Sequence, residues 1–376
     1  MRKHAYDLVI AGAGIVGLAH AYHACRRGLS VAVVDKAEGV FGASVQNFGH
    51  CCITAQSGIA HEYARAGRAH WLDLSRAAQF WSRESGTVAV ARAEDEMQVL
   101  REFAELRGEE SVRLLDRDDV HERTPVADSS VLGGAWFPLD IQLDPRAAAP
   151  AIVRFLTSQG VDFYWDTAAV GASTGTLRTS RGVFEAPLVI FALNHDIDLL
   201  FPELADEYRL RRCRLHMLRV DPQFGKPLTA PLFTGWSLVR YTGFLECPTS
   251  AALRERLATE FPTHVGVDLH QMYTPMPDGT LLVGDTHVRS RTASPFQSEF
   301  GFELLIDEAE KLFGVPHLRV LERWQGVYSS APDHEFLIHQ PYPGVQIVTV
   351  TTGIGMTTSM GLAASVLERA LAPASP

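Results

Sequence analysis

The chain has 376 residues, of which 46% are hydrophobic and 21% are charged, a composition typical of globular proteins. Its length predicts two closely joined domains, and its net charge of −10 argues against nucleic acids and anionic membrane surfaces as partners. Residues 188–193 form the longest apolar run, far short of the roughly 20 residues that span a bilayer. Five cysteines, two of them adjacent, do not suggest a disulfide framework, so we expect a cytoplasmic protein.

A strand, a glycine turn and a helix open the chain. Leu8–Ala11 reads as a strand buried on both faces, and three glycines follow at the G-x-G-x-x-G spacing, namely Gly12, Gly14 and Gly17. We expect the helix to begin at Ile15, so that its free N–H groups face a pyrophosphate. A second strand, 30–34, ends at Asp35, whose carboxylate is placed to bind ribose hydroxyls. The unit predicts a dinucleotide site for FAD or NAD rather than NADP.

A glycine-rich and nearly uncharged loop, 39–50, follows the second strand. Such a loop either runs along a cofactor with its backbone donors and small side chains, or forms a structural Ω-loop. Helical periodicity then predicts helices at 61–85, 97–107, 117–123 and 145–158. The last of these has Asp144 as N-cap and proline in its first position.

The strands that follow differ in character along the chain. Residues 186–193 form a near-continuous apolar run, which is typical of a central parallel strand. The middle third instead alternates and predicts an antiparallel sheet, with strands at 211–220, 236–241, 269–276 and 280–287 and an outer amphipathic helix at 298–313. Within 211–220, Leu215 and Met217 should share one face, and Arg214 and His216 the other.

The last part of the chain repeats the opening arrangement. Strands are predicted at 318–328, 336–338 and 345–350, and a glycine turn, 353–357, then opens the final helix. We therefore expect a discontinuous nucleotide domain and a second domain inserted into it. The predicted nucleotide domain comprises 1–85, 140–205 and 318–376, and the predicted substrate domain comprises 86–139 and 206–317.

These elements, in this order, resemble the D-amino-acid oxidase family of FAD-dependent amine oxidoreductases, which includes glycine and sarcosine oxidases. The resemblance covers essentially the whole chain and rests on residues 7–35, 42–50, 190–192, 277–285 and 353–361. It implies an α/β fold, in which a glutathione-reductase-type FAD-binding Rossmann domain carries an inserted antiparallel-sheet substrate domain.

The resemblance also implies a set of cofactor-binding residues. The glycine triplet would hold the pyrophosphate, Asp35 the ribose, the backbone of Val170 the adenine, and the 44–49 loop the isoalloxazine. The helix that opens at 353–357 would aim its positive end at the flavin N1–C2=O edge. The full set is Gly12, Ala13, Gly14, Ile15, Val16, Gly17, Asp35, Lys36, Ser44, Gln46, Asn47, Phe48, Gly49, Val170, Ala192, Gly353, Ile354, Gly355, Met356 and Thr357.

Two departures from the family pattern bear on the chemistry. Relatives that attach FAD covalently use an early histidine or a late cysteine, whereas this chain has Gln46 at the first position and no cysteine after Cys247; we expect non-covalent FAD. Amino-acid oxidases of the family clamp the substrate carboxylate with an arginine after a Trp-x-Gly motif. Here Tyr328 occupies that position.

The resemblance implies oxidation of a small amine. A hydride would pass from the amine α-carbon to flavin N5, the imine would hydrolyse to aldehyde and amine, and molecular oxygen would reoxidise the flavin, giving hydrogen peroxide. The 44–50 loop and the 284–287 segment look most like a branch associated with bacterial phosphonate breakdown, which suggests an N-methyl or unsubstituted 2-aminoethylphosphonate as the small anionic amine substrate. Alternatives are a sarcosine-like N-methyl amino-acid oxidase, an NAD-dependent dehydrogenase and a non-catalytic flavoprotein.

An anionic substrate needs charge-assisted hydrogen-bond donors. The candidates are His50, His216, Tyr241, Tyr273, His287, Tyr328, Arg214 and Arg240, with Arg289 as a further charge. Each has a plain structural alternative as a buried histidine, a core aromatic or a solvated strand residue. We expect no nucleophile triad and no metal site, because the adjacent cysteines lack zinc spacing and the histidines are scattered. The oligomeric state is left open.

Overall fold

The computed structural model describes residues 3–372. The strands are β1 Lys3–Ala5, β2 Leu8–Ala11, β3 Val31–Val34, β4 His50–Cys51, β5 Ser82–Arg83, β6 Thr87–Ala91, β7 Arg113–Asp116, β8 Gly133–Phe137, β9 Ile141–Leu143, β10 Asp162–Tyr164, β11 Ala169–Ser173, β12 Thr176–Thr179, β13 Gly182–Glu185, β14 Leu188–Phe191, β15 Arg211–Asp221, β16 Leu232–Phe233, β17 Met272–Pro275, β18 Leu281–Gly284, β19 Val288–Ser290, β20 Arg319–Ser330, β21 Phe336–Tyr342 and β22 Val345–Val350.

The α-helices are α1 Ile15–Cys25, α2 Gly58–Ala78, α3 Glu94–Arg107, α4 Arg117–Arg123, α5 Pro145–Ser158, α6 Pro202–Glu207, α7 Gly235–Leu238, α8 Thr242–Leu245, α9 Ser250–Glu260, α10 Pro262–Gly266, α11 Glu299–Phe313 and α12 Gly355–Leu371. A 3₁₀ helix, Asn194–Leu199, follows β14. Within residues 3–372, no helix is long and apolar enough to cross a membrane.

A mainly parallel sheet organises both ends of the chain. Its strand order is β10-β3-β2-β14-β22-β21, and only the last pairing is antiparallel. Every residue of β2, β3 and β14 is buried, because helices that include α1, α5 and α12 cover one face and the small β11–β13 sheet packs on the other. Apolar runs without alternation are the sequence signature of strands covered on both faces, so the predicted parallel sheet is confirmed.

A second, mainly antiparallel sheet is assembled from the middle of the chain. Its strand order is β19-β15-β18-β17-β16-β6-β8-β7, and β20 pairs with β15. The predicted turn at 277–279 joins β17 to β18, which pair antiparallel. Helix α11 lies outside this sheet, and the Ser298 side chain caps it by accepting from the Phe300 amide at 3.3 Å. The predicted α/β fold with an antiparallel sheet is thus confirmed.

One sequence-based expectation about these elements is wrong. Residues 236–241 do not form a strand: α7 occupies the first half of the segment, and the consecutive residues Trp236, Ser237 and Leu238 are all buried instead of alternating. The predicted nucleotide domain, 318–376, includes β20, but β20 pairs with β15 over eleven positions in the antiparallel sheet. A long strand shows its pattern in the sequence but not its pairing partner, so we propose the same two-domain division with residues up to 330 in the substrate domain.

Candidate active site

A cavity of about 550 Å³ is lined by residues of both the parallel sheet and the antiparallel sheet. Gly12, Gly14 and Asp35 line one end, and Asp285, His287 and Tyr328 line the other. Its volume lies within the roughly 300–1,000 Å³ typical of ligand and cofactor sites. The cavity therefore joins the predicted dinucleotide motif to residues from the far end of the chain.

The glycines of the first turn are required by close backbone packing. Gly12 has φ +107°, and a Cβ there would lie 2.4 Å from the Ala192 carbonyl oxygen. A Cβ at Gly17 would lie 1.9 Å from the Gly12 carbonyl oxygen, so Gly17 supports the turn from behind and does not line the cavity. Gly14 does line it, and α1 begins at Ile15 as predicted. The unpaired amides of a helix N-terminus suit a phosphate group.

Asp35 lies at the end of β3 and faces the cavity. Its Oδ2 accepts a hydrogen bond from the Ala13 amide at 2.7 Å, and its Oδ1 accepts from the Ala37 amide at 2.9 Å. The carboxylate thus clamps the glycine turn, and each oxygen keeps a lone pair for a ribose hydroxyl. Its neighbour Lys36 also lines the cavity and forms an exposed ion pair with Asp196 at 2.5 Å.

The 39–50 loop serves as a link between the two sheets as well as a wall of the cavity. Ser44 Oγ accepts from the Ile15 amide at 2.7 Å, so the loop is fixed to the start of α1. Gln46 binds β20, because its carbonyl accepts from Trp324 Nε1 at 3.1 Å and its Oε1 accepts from the Val327 amide at 3.2 Å. The Asn47 side chain closes the loop internally on Ala43 and Gly49. The loop therefore lines the cavity and also links the start of α1 to β20.

The second glycine turn meets the cavity from the opposite side. Gly353 has φ +80°, and a Cβ there would lie 3.0 Å from Cζ of Tyr328. Ile354, Gly355, Met356 and Thr357 also line the cavity, and α12 begins at Gly355. The Met356 carbonyl accepts from Trp71 Nε1 at 2.9 Å, which fixes this helix start. The first amides of a helix have no intrahelical acceptor, so they are available to the cavity.

A polar group of residues lines the end of the cavity formed by the antiparallel sheet. Arg240 Nη2 lies 3.2 Å from the Tyr328 hydroxyl and donates to it, and Arg240 Nη1 lies 3.6 Å from Asp268 Oδ1. Burial disfavours the guanidinium charge, but Tyr328, Asp285 and Asp268 more than offset this effect, so the pKa of Arg240 lies above its ordinary value. This arginine is therefore a permanent cation in the wall.

A carboxylate held by two histidines stands in the same wall. Asp285 is 4% exposed, with Oδ1 3.1 Å from His270 Nδ1 and Oδ2 3.4 Å from His287 Nε2. Burial raises the pKa of Asp285, but the two histidines outweigh burial, so the pKa lies below its ordinary value. Sequence reasoning missed Asp285 and His270 as site residues. The available signal was an acidic residue directly after the apolar strand β18.

His50 and Tyr241 reach the cavity as predicted, in different settings. His50 Nε2 lies 2.6 Å from Thr87 Oγ1, which itself donates to Asp140 at 2.7 Å. Its Nδ1 is buried without a hydrogen-bond partner among the described residues. Tyr241 packs against the His270 ring with centroids 5.3 Å apart. Cys52, which sequence reasoning did not propose, also lines this region.

Other candidates lie outside the cavity, so the expectation that they face it is wrong. His216 sits on the opposite face of β15, where its ring contacts Thr286 and the Ser298 carbonyl. Arg214 shares that face and donates to backbone carbonyls of the 294–296 segment. Tyr273 is fully buried, and its hydroxyl accepts from Gln271 at 2.6 Å. Alternation in a strand predicts two faces but not which face meets the site.

A few predicted residues lie beside the cavity wall instead of in it. Ala13 and Gly49 act through backbone hydrogen bonds to Asp35 and Asn47. The Val170 side chain is 52% exposed, and the cavity is lined instead by the three residues before it, 167–169. Arg289 pairs with Asp268 at 2.5 Å at the edge of the sheet.

The lining fits FAD. At the starts of α1 and α12 the lining includes four glycines, which leave room for a ligand because they have no side chain: Gly12, Gly14, Gly353 and Gly355. One helix start suits the diphosphate and the other suits an electron-rich ring edge. The remaining lining is mostly small or apolar, as cofactor sites require.

Comparison with known proteins agrees with this fit. The family model described as DAO, FAD dependent oxidoreductase, matches residues 7–369. Glycine oxidase of Bacillus licheniformis is 25% identical over 222 residues, which span 56% of this chain and 59% of that relative. The match thus covers about three fifths of the relative's length.

Solved structures show the same fold. Glycine oxidase from Geobacillus kaustophilus superposes with a TM-score of 0.79 at 20% identity, covering 97% of this chain and 94% of the other. L-amino acid deaminase from Proteus vulgaris gives 0.78 at 17% identity, covering 99% and 94%. L-α-glycerophosphate oxidase from Mycoplasma pneumoniae, solved with FAD bound, gives 0.76 at 18% identity, covering 98% and 95%.

These findings exclude the alternative of an NAD-dependent dehydrogenase. The family match agrees with the geometry of the cavity, which is lined by the starts of both α1 and α12. The start of α12 has no evident role in binding NAD. The chain belongs to the family of FAD-dependent oxidoreductases, and FAD is its cofactor.

Proposed function

We propose that this enzyme oxidises a small amine that carries an anionic group. The observation that carries the proposal is Arg240, a partly buried cation that faces the cavity beside Tyr328 and the Gly353 turn. FAD, when bound, supplies the acceptor for the hydride of the amine α-carbon. The protein has to orient the substrate and to match its charge.

Arg240 has donors to spare for a ligand. A guanidinium carries five N–H groups, and Arg240 donates to Tyr328 and lies 3.6 Å from Asp268. Asp268 is also held by Arg289 at the shorter distance of 2.5 Å, so it only partly neutralises Arg240. Carboxylates and phosphonates are the anions that a planar guanidinium binds best.

Tyr328 and Arg240 together supply what one arginine supplies in the amino-acid oxidases that the sequence resembles. Tyr328 is the second residue after the Trp-x-Gly motif, and the charge comes from Arg240, just before α8. Tyr241 and His50 add further polar atoms to the lining. This larger donor set supports a phosphonate substrate, an N-methyl or unsubstituted 2-aminoethylphosphonate, as the finer proposal. A sarcosine-like amino acid is the alternative, and molecular oxygen is the proposed electron acceptor.

Two measurements test the proposal. Anaerobic addition of N-methyl-2-aminoethylphosphonate, 2-aminoethylphosphonate, sarcosine or glycine should bleach the flavin absorbance, and admission of oxygen should restore it with formation of peroxide. A protein that none of these amines bleaches would contradict amine oxidation and favour a non-catalytic flavoprotein. The ratio of kcat/KM between N-methyl-2-aminoethylphosphonate and sarcosine then decides between the two substrate classes.

Replacing Tyr328 by Phe tests the anion site. The variant loses the hydroxyl that Arg240 contacts, so KM for the anionic amine should rise roughly tenfold, the equivalent of one hydrogen bond to a charged group, while kcat changes little. Tyr342, which is 45% exposed on β21, provides the matched Tyr→Phe control. Unchanged kinetics in Tyr328→Phe would remove this residue from the substrate site.

A further inference from the structure

Asp285 is a buried carboxylate in the cavity wall whose ion-pair partners among the described residues are two histidines. Within residues 3–372, its ion-pair partners are the imidazoles of His270 and His287, and no lysine or arginine nitrogen lies within 4.0 Å of it. A buried carboxylate without such a partner is costly. A carboxylate kept in a ligand cavity under these conditions is suited to a cationic ligand group.

The hydrogen-bond pattern around the two histidines shows how much compensation is available. His270 Nδ1 donates to Asp285, and Nε2 faces the Ser237 hydroxyl at 3.1 Å. Burial lowers the pKa of His270 to about 4, so this imidazole is a neutral donor near pH 7. Asp285 therefore receives one hydrogen bond but no positive charge from His270.

His287 presents its other nitrogen to the carboxylate. Nδ1 lies 2.9 Å from the Asp268 backbone carbonyl, which can only accept, so Nδ1 carries a proton. Nε2 then faces Asp285 Oδ2 at 3.4 Å. This contact is longer than the 2.7–3.2 Å usual for an N–H···O hydrogen bond, so Asp285 Oδ2 is available to a donor on a ligand.

Asp285 and Arg240 stand in the same wall. Both line the cavity, and the charge of Asp285 is among the causes that raise the pKa of Arg240. Neither forms a direct ion pair with the other within 4.0 Å among the described residues. The wall therefore offers a fixed anion and a fixed cation side by side, which matches a zwitterion.

We propose that Asp285 binds the amino group of the substrate, while Arg240 and Tyr328 bind its anionic group. This inference rests on the proposed function and narrows it: the substrate class is a small zwitterion whose nitrogen bears at least one hydrogen to donate to Asp285. The rival explanation is structural. The backbones of His270 and Asp285 exchange hydrogen bonds of 2.7 and 2.6 Å, and the side chains would then only reinforce this pairing.

The test uses ligands that bind the holoenzyme but cannot be oxidised. 2-Aminoisobutyrate has no hydrogen on its α-carbon, and isobutyrate is the same anion without the amine. 2-Amino-2-methylpropylphosphonate and 2-methylpropylphosphonate form the corresponding phosphonate pair. Dissociation constants come from titration calorimetry or from the perturbation of the flavin spectrum, and neither readout depends on turnover.

Wild-type enzyme should bind the amine-bearing member of at least one pair ten times or more tighter than its amine-free partner. Asp285→Asn keeps the shape of the side chain and the hydrogen bond from His270. It should abolish the preference for the amine-bearing ligand and leave the affinity for the amine-free ligand unchanged or higher. Arg240→Gln should lower the affinity for both ligands of a pair by a similar factor. Flavin content and Tm establish that each variant is folded.

The outcomes separate the two proposals. Equal wild-type affinity for both members of each pair would overturn the role of Asp285 without any variant. So would an Asp285→Asn enzyme that is folded and retains the amine preference. Bleaching of the wild-type flavin by an oxidisable amine, together with either result, would leave the proposed function standing and reject only this inference. If no amine bleaches the flavin but the preference depends on Asp285, the proposed function fails and the binding site stands.

Discussion

Asp35→Asn is the most direct test of how the first glycine turn holds the cofactor. The carboxylate accepts from the Ala13 amide at 2.7 Å and from the Ala37 amide at 2.9 Å. Asparagine has nearly the same shape but one acceptor oxygen, so its NH₂ group must face one of these two N–H donors. The substitution therefore breaks one hydrogen bond and opposes two donors, without creating a cavity.

The expected size follows from these contacts. A hydrogen bond to a charged group contributes about 1.5–3 kcal/mol. The stability of the apoprotein should fall by about this amount, because the turn is clamped with or without FAD. If the carboxylate also binds the ribose, the FAD dissociation constant should rise by a further factor of about 10–100, since about 1.4 kcal/mol corresponds to tenfold in affinity.

Thermal unfolding of the apoprotein and fluorescence titration with FAD measure the two effects separately. Glu38→Gln is the matched control on the same segment, since Glu38 is exposed and lies outside the cavity lining. A lowered Tm with unchanged FAD affinity would refute the ribose role and leave Asp35 as a clamp of the turn. Unchanged Tm and unchanged affinity would refute the whole reasoning.

Two further predictions concern packing and pH. Gly17→Ala places a Cβ 1.9 Å from the Gly12 carbonyl oxygen and should cost about 3 kcal/mol or more, with loss of FAD. Gly225→Ala, which meets nothing within 4 Å and lies outside the cavity lining, should retain both stability and flavin. Equal Tm values for the two variants would contradict the close-packing argument. Burial lowers the pKa of His20 to about 4 from about 6.5 in the unfolded chain. Between these two pH values the unfolded state binds more protons than the folded state. The free energy of unfolding therefore decreases as the pH drops through this window, by up to about 1.4 kcal/mol per pH unit. Denaturant titrations between pH 7 and 4.5 should show that His20→Leu flattens this decline, and that replacing the exposed His317 by Gln does not.

The sequence by itself determined the cofactor end of the protein. The strand, glycine turn, helix and terminal acid of residues 8–35 are all local, and the backbone geometry of such a unit allows little else than a dinucleotide site. The apolar runs likewise determined the parallel sheet, because only strands covered on both faces dispense with alternation. The second glycine turn, 353–357, favoured FAD over NAD from the sequence alone, and the family match agrees with FAD.

The substrate end was decided by the tertiary structure. Alternation along β15 correctly separated Leu215 from His216, but only the packing of α11 shows that His216 faces away from the cavity. Arg240 reaches the wall because residues 235–238 form a helical turn where the sequence pattern predicts a strand.

Asp285 and His270 are fifteen positions apart and meet through paired backbone segments. Each is unremarkable in the sequence, since a single polar residue has no periodicity and no local partner that would mark it. Their role depends on which strands pair and on which face each side chain lies, and these are properties of long-range packing. The local pattern therefore indicates what cofactor is bound, and the tertiary contacts decide which charged groups line the other end of the cavity.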